Sequence, residues 1–257
     1  LLIPLVYAPA PNMGATAPRS IAGAVVVGNA ETLSGLVLHQ HVNRGAPFVY
    51  GIGSGSMDMR TMTDPYCTPD TLLAQQVAAD LARHYALPSF SYAGMSDSKL
   101  LDEQWTAEAA LSMAYGSLSR ATLLHDVGYL ESGLQSSYEA IVLGDELVGY
   151  ARQFMREVPV DEYSLALDEI RTVGPGGSHL GTKYTRRHHR EFWTPALLDH
   201  AVHDRWAAEG ATTLGERVRA RLADLLATER PFRLTADQEA RLEELLAETL
   251  ADADVRI

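Results

Sequence analysis

Residues 47–52 are Pro-Phe-Val-Tyr-Gly-Ile, a short apolar run typical of a β-strand. A loop rich in Gly, Ser, Thr and Asp follows, and Thr68-Pro69-Asp70 then opens a long helical segment. That tripeptide predicts a helix start, because a capping hydroxyl precedes a proline whose missing N–H costs nothing in the first turn. Strand, polar loop and helix in this order are typical of a parallel βα unit.

The same unit occurs four times in the first 130 residues. Strands are predicted to begin near Ile3, Pro47, Leu87 and Ala121, each followed by enough residues for a crossover helix. Thr16 before Pro18 predicts a second capped start, for a helix over Pro18–Val42. Its small residues suit close approach to neighbouring elements, so we expect this helix to be buried on most sides.

Helical patterns dominate from Gln135 onward. We predict helices over Ser137–Val158, Asp161–Val173, Thr194–Glu209, Thr213–Thr228 and Thr235–Ala251. The polar stretch Gly174–Trp193, which opens with Gly-Pro-Gly-Gly, is predicted to be a loop. In the last helix Leu242, Leu245, Leu246 and Leu250 form one apolar stripe, by which we expect the helix to dock.

Composition excludes several classes of protein. The 257 residues carry a formal net charge of −12 and no long basic run, which argues against a nucleic-acid partner. The most apolar stretches are interrupted by Pro, Asn and Glu, so we expect no membrane span. The single Cys67 cannot form an internal disulfide or a cysteine metal site, which favours a reducing, cytoplasmic setting. The first residues, Leu-Leu-Ile-Pro, indicate a strand rather than a signal peptide.

Four parallel βα units do not close a barrel, because a (β/α)8 cylinder needs eight strands. An open sheet of four strands would expose two edges. The pattern is therefore compatible with a doubly wound open sheet, or with the second half of a (β/α)8 barrel. Composition does not decide between these two folds.

A series of short motifs runs through the chain in a fixed order. In the first half they are Gly14-Ala-Thr-Ala-Pro18, Ala22-Gly23, Asn29-Ala-Glu31, Gln40, Gly45-Ala-Pro47 and Met57-Asp-Met-Arg-Thr61. Further on they are Asp97-Ser-Lys99, Asp102-Glu-Gln104, Glu108, Leu143-Gly-Asp-Glu146, Gly174-Pro-Gly-Gly177 and Phe192-Trp-Thr-Pro195. This ordered set resembles the trimethylamine methyltransferase superfamily over nearly the whole chain.

The resemblance implies the C-terminal half of a (β/α)8 TIM-type barrel with additional C-terminal helices. Residues 1–134 would supply four βα units, and residues 135–257 a helical region packed on the barrel. Members of this family move a methyl group from a methylated amine to the cobalt of a separate corrinoid protein. The chain contains only the twenty standard residues, so it resembles the members without pyrrolysine, which use quaternary amines such as glycine betaine.

The chemistry of a quaternary ammonium suits such a member. Loss of a methyl group releases a neutral tertiary amine, so no general acid is required. The protein would hold the cation, orient one methyl group and exclude water, while the corrinoid supplies the nucleophile. We expect no metal bound by the chain itself, and we expect partners limited to the methylated amine, the corrinoid protein and further copies of the chain.

In a barrel of this kind the working residues lie where the strands end. We predict His125 and Asp97 to be catalytic. Substrate contacts are predicted for Tyr50, Tyr92, Met95, Arg60, Tyr129 and Glu131. Gly14, Asp58 and Lys99 are predicted to face the corrinoid.

Each assignment has a structural alternative. Tyr50, Tyr92 and Tyr129, with Phe90 or Trp105, could form an aromatic box for a quaternary ammonium by cation–π attraction, or they could simply pack in strands. His125 could contact a substrate carboxylate or the cobalt side, or be a core histidine. Carboxylates near Asp97 and Asp102 could form an ion-pair network with Lys99, or favour a helix N-terminus.

Several polar residues have a simpler interpretation than a substrate site. Arg60 could hold a betaine carboxylate, but pairing with Asp58 is the safer interpretation. His39 and His41 point in different directions on a helix, so a metal there is improbable.

The basic stretch from His179 to Arg190 could bind an acidic face of the corrinoid partner or the corrinoid rim, although a solvated loop is slightly favoured. Here the sequence departs from the family, which commonly has His-Thr where this chain has Tyr184-Thr185. Any role carried by that histidine is therefore in doubt.

Two other functions remain compatible with the sequence. A betaine-binding protein without methyl transfer would need the same aromatic pocket. A metal-dependent barrel hydrolase is disfavoured, because the strands carry no His-x-His and the helices no His-x-x-x-His.

Overall fold

The computed structural model describes residues 3–228 and 234–252 of the chain. The chain divides into two compact units, Leu1–Arg219 and Ala220–Ile257. The first unit holds the strands and most of the helices. The second holds α10, Ala236–Asp252, on which Leu242, Leu245 and Leu246 are partly exposed. The side chain of Leu250 lies outside the described residues.

The strands of the first unit are short and mostly parallel. They are β1 (Leu5–Val6), β2 (Asn12–Met13), β3 (Phe48–Val49), β4 (Gly55–Ser56), β5 (Phe90–Tyr92), β6 (Leu123–His125), β7 (Tyr129–Leu130) and β8 (Gln135–Ser136). Parallel pairs join β1 to β3, β2 to β4 and β5 to β6, and β7 pairs antiparallel with β8.

A parallel bridge between Tyr50 and Ser89 connects the β1–β3 pair to the β5–β6 pair. The Tyr50 N–H donates to the Pro88 carbonyl (2.8 Å), and the Phe90 N–H donates to the Tyr50 carbonyl (3.0 Å). The four predicted strands therefore lie side by side in chain order, as four successive parallel βα units require. The architecture is mixed α/β with small sheets, and the described residues form no closed barrel.

Helices follow the strands. They are α1 (Ile21–Val42), α2 (Pro69–His84), α3 (Glu103–Ser119), α4 (Tyr138–Met155), α5 (Glu162–Leu165), α6 (Leu167–Val173), α7 (Lys183–His188), α8 (His203–Ala208) and α9 (Leu214–Ala227), with α10 in the second unit. Thr68 caps α2 as predicted, since its hydroxyl accepts from the Thr71 N–H (3.2 Å). Asp102 and Ser137 cap α3 and α4 in the same way.

The predicted start of the first helix is wrong. Thr16 Oγ1 accepts from the Asn12 N–H (2.8 Å) and so stabilises the preceding loop. The helix begins at Ile21, where the Ser20 hydroxyl accepts from the Gly23 N–H. Ser20 directly precedes the first turn, where a hydroxyl reaches the free N–H groups, whereas Thr16 lies five residues before Ile21.

Helix α1 is also less buried than expected. Ala24, Val25, Gly28, Thr32 and Gly35 face the strands, whereas its other apolar face is exposed. By length and composition alone α1 is apolar enough to cross a membrane, contrary to the expectation from sequence. In the structure it is the crossover helix between two parallel strands, and Thr32 Oγ1 donates to the Gly51 carbonyl (2.9 Å).

Two helices predicted downstream of α4 are only partly present. Over Asp161–Val173 the helix is broken at Ala166, which has φ +48°. Over Thr194–Glu209 only α8 forms. The Glu146 carboxylate on α4 accepts the N–H groups of Ala196, Leu197 and Leu198 at 2.8–3.2 Å, which anchors the segment before α8 to α4. The predicted loop over Gly174–Trp193 contains the short helix α7.

Residues 50–55, which connect β3 to β4, point alternately to the two faces of the sheet. One face packs against the helices, and we call the opposite one the inner face. Tyr50 and Ile52 pack in a cluster with residues of α1 and α2. Gly51, Gly53 and Gly55 lie on the opposite face. A Cβ at these positions would meet the Phe90 ring, the Tyr92 hydroxyl and the Asp64 carboxylate, respectively. The three glycines thus leave the space that these side chains occupy.

Replacement of Gly51 by alanine should test this close approach. Gly51→Ala would force the Phe90 ring to move, and we expect it to lower the free energy of unfolding by about 1–3 kcal/mol. Gly181→Ala is the matched control, because its Cβ meets nothing within 4 Å. Denaturant unfolding of both variants measures the difference, and equal stability would contradict close packing of Phe90 on Gly51.

Candidate functional site

The ends of β5 and β6 bring aromatic side chains together on the inner face of the sheet. Tyr92 and His125 are the last residues of these strands and are paired in register. Their rings meet edge to face, with centroids 5.1 Å apart and an interplanar angle of 85°. The Phe90 ring lies 5.3 Å from the His125 ring. The carboxyl ends of two adjacent parallel strands therefore present one continuous aromatic surface.

The loop between β4 and α2 adds Tyr66 to this surface. The Tyr66 and Tyr92 rings are stacked, with centroids 5.9 Å apart and an interplanar angle of 3°. A Cβ at Gly133 would lie 3.1 Å from Tyr66 and 3.3 Å from Tyr129, so these two rings flank the same glycine. We call Tyr66, Phe90, Tyr92, His125 and Tyr129 the aromatic cluster.

Sequence reasoning missed Tyr66. The tyrosine lies in no strand, and only its position in the loop after the second strand could have indicated a role. Tyr92, Tyr129, Phe90 and His125 were predicted and do lie together. Of the residues predicted for the aromatic box, Phe90, Tyr92 and Tyr129 belong to the cluster, whereas Tyr50 and Trp105 do not.

The imidazole of His125 is oriented by its neighbour. His125 Nδ1 lies 2.6 Å from Asp126 Oδ1. Since a carboxylate only accepts, Nδ1–H is the donor and Nε2 is the ring nitrogen left for other contacts. The His125 side chain is 43% exposed and that of Asp126 8%. The histidine is therefore accessible, while its carboxylate partner is not.

The loop after β6 has an unusual backbone. Asp126, Glu131 and Ser132 have φ values of +74°, +49° and +55°, a region that disfavours side chains with a Cβ. Gly128 and Gly133 also have positive φ. Such conformations persist only when surrounding contacts hold them, and they occur often at functional sites.

Asp97 makes one of those contacts and joins it to the loop that carries Tyr66. Its Oδ1 accepts from the Tyr66 N–H and the Ser132 hydroxyl, both at 2.8 Å, and its Oδ2 accepts from the Cys67 N–H at 3.0 Å. One carboxylate thus ties the loop that carries Tyr66 to the loop that follows β6. Asp97 was predicted to be catalytic, and the structure uses its carboxylate to position Tyr66.

Helix α3 fixes Asp97 in turn. Glu108 Oε2 accepts from the Asp97 N–H (2.8 Å) and from the Ser96 hydroxyl (2.7 Å). Trp105, which is fully buried, donates its Nε1–H to the Tyr129 carbonyl (3.0 Å). Two successive turns of α3 therefore hold the backbone on which the cluster stands.

Tyr66 and Tyr92 remain neutral in this environment. Burial raises the pKa of Tyr92, and the nearby charge of Asp126 raises it further. Burial also raises the pKa of Tyr66, with the charges of Asp64 and Asp126 contributing. Neutral aromatic rings close to two carboxylates produce a negative potential without a phenolate, which suits a cation.

Other predicted site residues lie elsewhere. Tyr50 is fully buried on the helix-facing side of the sheet, and its hydroxyl donates to Asn29 Oδ1 (2.8 Å). Trp105 is buried behind the cluster. Met95 is also buried, in the turn after β5. Tyr50 and Trp105 are therefore not part of the aromatic cluster, because strand alternation and the helix direction point them away from it.

Charged residues at the strand ends form local pairs. Arg60 donates to Asp58 (3.2 Å) and remains 88% exposed. Its guanidinium is the main reason that the pKa of Asp58 is lowered to about 2. Lys99 Nζ donates to the Asp97 carbonyl (2.8 Å) rather than to a carboxylate. Asp102 caps α3, so for this residue the carboxylate favours a helix N-terminus rather than an ion pair with Lys99.

Gly14 and Glu131 lie in strand-end loops. Gly14 has φ +96°, and a Cβ there would meet Arg19 and Met59. The Glu131 carboxylate accepts from the Gln135 side chain, so it pairs with the strand that follows.

The residues that follow the basic stretch pack on the last turns of α4. Arg156 sits over the Phe192 ring, 5.7 Å from its centroid, and Trp193 packs on Tyr150. In the stretch itself, His188 Nε2 bonds to the Tyr163 hydroxyl (2.8 Å). Over residues 3–228 and 234–252, no three His, Cys, Asp or Glu side chains are grouped to hold a metal.

Comparison with known proteins agrees with the motifs in the sequence. The model of the trimethylamine methyltransferase (MTTB) family matches residues 3–253. The chain belongs to this family. A glycine betaine methyltransferase of Desulfitobacterium hafniense strain Y51 is 37% identical over 237 residues, which are 91% of this chain and 49% of that protein.

Two further members of the family are similar over the same region. Trimethylamine methyltransferase MttB of Desulfitobacterium hafniense strain DSM 10664 / DCB-2 is 31% identical, covering 92% of this chain and 48% of that protein. MttB of Methanosarcina barkeri strain Fusaro / DSM 804 is 33% identical, covering 87% of this chain and 45% of that protein. The chain therefore spans about half the length of these relatives.

Substitution of Asp97 tests its positioning role. Asp97→Asn replaces one acceptor oxygen by an NH2 group, so a backbone N–H of Tyr66 or Cys67 loses its partner. We expect faster amide hydrogen exchange at these two residues and unchanged exchange in the middle of α4. Asp145→Asn, an exposed site on α4, is the control. Unchanged exchange at Tyr66 and Cys67 would show that the carboxylate does not hold this loop.

Proposed function

We propose that the protein is a corrinoid-dependent methyltransferase that takes a methyl group from a quaternary or tertiary methylated amine, with a betaine as the preferred class. The observation that carries this proposal is the aromatic cluster at the paired ends of β5 and β6. Family membership supports methyl transfer from methylated amines, and the relative named glycine betaine methyltransferase supports the choice of a quaternary amine.

The fold required by this function is the second half of a (β/α)8 barrel. Residues 1–134 would supply four parallel βα units, and residues 135–257 the helical region packed on them. Support comes from the parallel strands in chain order and from the span of about half the relatives' length. In a closed barrel, the aromatic cluster would line the interior near the carboxyl ends of the strands, where such enzymes bind their substrates.

The aromatic cluster suits a trimethylammonium group. Cation–π attraction favours a cation over the face of a neutral aromatic ring, by about 0.5–2 kcal/mol per ring. Tyr92 and Tyr66 offer neutral faces, and Tyr129 is partly exposed beside them. Among the residues predicted to contact substrate, Tyr92 and Tyr129 fit this role best, with Arg60, Met95 and Glu131 at the margin of the site.

The chemical step needs little from acid–base groups. The bond between nitrogen and the transferred methyl carbon breaks, its electron pair stays on nitrogen, and a neutral tertiary amine leaves. A corrinoid with cobalt as Co(I) supplies the electron pair that forms the new bond to carbon. The residues of the chain would hold the ammonium, aim one methyl group and exclude water.

His125 is the residue best placed for a direct role. Asp126 fixes its ring, and its Nε2 is accessible beside Tyr92. We assign His125 contact with the substrate carboxylate or with the corrinoid side. Asp97 is assigned a positioning role, because its oxygens are used by Tyr66, Cys67 and Ser132.

A corrinoid carried by a partner protein needs an open approach to the strand ends. The loops there fit this requirement, because Met59, Arg60 and Leu100 project exposed side chains. Gly14, Asp58 and Lys99 belong to the same loops and are assigned to face the corrinoid. We further propose a cytoplasmic homo-oligomer.

A betaine-binding protein without methyl transfer is the alternative, because it would use the same aromatic cluster. The assay that separates the two mixes the intact protein with cobalamin reduced to Co(I) and a panel of methylated amines. We expect the absorbance change of cobalt methylation with a betaine. Binding of betaine without that change would favour the alternative.

Tyrosine variants test the aromatic cluster in the same assay. Tyr92→Phe keeps the ring and should retain the KM for the amine within about threefold, whereas Tyr92→Leu should raise it roughly 2–30-fold, the loss of one cation–π contact. Tyr138→Leu, at an exposed position on α4, is the control and should change nothing. Equal effects of the Phe and Leu substitutions would argue against a role for the ring face.

A further inference from the structure

Asp64 lies beside the aromatic cluster and has no cationic partner among the described residues. It is in the same loop as Tyr66, separated from it only by Pro65. Its Oδ1 is buried and forms no hydrogen bond with the residues that the structure describes. None of their Lys, Arg or His side chains forms an ion pair with it. A partly buried carboxylate in this state carries an uncompensated charge.

Gly53, just before β4, and Gly55, its first residue, show where the Asp64 carboxylate lies. A Cβ at Gly53 would be 2.8 Å from the Tyr92 hydroxyl, and a Cβ at Gly55 would collide with Asp64 Oδ1. Alternate residues of an extended chain lie on one face, about 7 Å apart. The Asp64 carboxylate is therefore a neighbour of the Tyr92 hydroxyl on the inner face of the sheet.

The other carboxylates near the cluster differ from Asp64. Asp97 accepts from the Tyr66 and Cys67 N–H groups and from the Ser132 hydroxyl. Asp126 is bonded to His125 Nδ1 at 2.6 Å, so its charge acts on the imidazole. Asn12, which also approaches Asp64, presents a buried Oδ1 that likewise has no hydrogen-bond partner among the described residues. The Asn12 side chain hydrogen-bonds to the Asp64 carboxylate. An uncharged amide donor does not neutralise a carboxylate, so the negative charge of Asp64 remains uncompensated beside the cluster.

We propose that Asp64 is the counter-charge for the ammonium group of the substrate and makes the site select a cation over a neutral molecule of the same shape. This inference rests on the proposed function, because it places the ammonium at the aromatic cluster. It adds the residue that distinguishes charge, whereas the rings distinguish size and shape. The substrate class is therefore a permanently charged amine rather than a neutral one.

Burial raises the pKa of Asp64, and the charge of Asp97 adds to the effect, while the Asn12 side chain lowers it. A bound cation would act in the opposite direction to burial, because an opposite charge at close range favours the ionised carboxylate. Ligand and carboxylate would thus stabilise each other's charges.

The test compares glycine betaine with 3,3-dimethylbutanoate, which replaces the ammonium nitrogen by carbon and keeps the carboxylate. Binding of both to the intact protein is measured by calorimetry. We expect the wild-type protein to prefer betaine, and Asp64→Asn to weaken betaine binding roughly tenfold or more without weakening binding of the isostere. Asp145→Asn should leave both affinities unchanged.

If Asp64 had only a structural role, Asp64→Asn would weaken the binding of both ligands equally, and that result would overturn the proposal. An unchanged preference for betaine in Asp64→Asn would also overturn it. No preference for the cation in the wild-type protein would also overturn it. Binding that discriminates charge, combined with no methyl transfer from any amine, would instead overturn the proposed function and leave the role of Asp64 intact.

Discussion

The site depends on one carboxylate, that of Asp97. Three donors from two different loops meet on it: the Tyr66 and Cys67 N–H groups and the Ser132 hydroxyl. This contact holds the loop between β4 and α2 in the position that places Tyr66 against Tyr92. It also stabilises the positive-φ backbone at Ser132. Glu108 extends the arrangement into α3, so the core of the fold and the position of the cluster are linked.

Three glycines from the end of β3 to the first residue of β4 make space for the same site. Gly51, Gly53 and Gly55 face inward, and their missing side chains leave room for the Phe90 ring, the Tyr92 hydroxyl and the Asp64 carboxylate, respectively. The inner face is thus built from side chains of neighbouring strands and loops. This arrangement gives a site in which aromatic faces and negative charge lie close together, the combination that a quaternary ammonium favours.

Much of this fold could be predicted from the sequence. The four strands, the Thr68 cap, the start of α4 and both ends of α9 follow from local patterns, because apolar runs and capping residues act over a few positions. The attachment of the segment before α8 could not be predicted, since its acceptor, Glu146, lies about fifty residues away in sequence. Tyr66 was missed for a similar reason, because the Asp97 carboxylate that binds its N–H group is 31 residues away. Tyr50 was assigned to the substrate because alternation alone does not say which face of a strand meets the helices.

A crystal structure of the intact protein with glycine betaine would test the proposed site most directly. We predict the trimethylammonium group within about 6 Å of the Tyr66 and Tyr92 ring centroids, with the Asp64 carboxylate beside it. A betaine bound away from the ends of β5 and β6, with the aromatic cluster empty, would contradict this prediction.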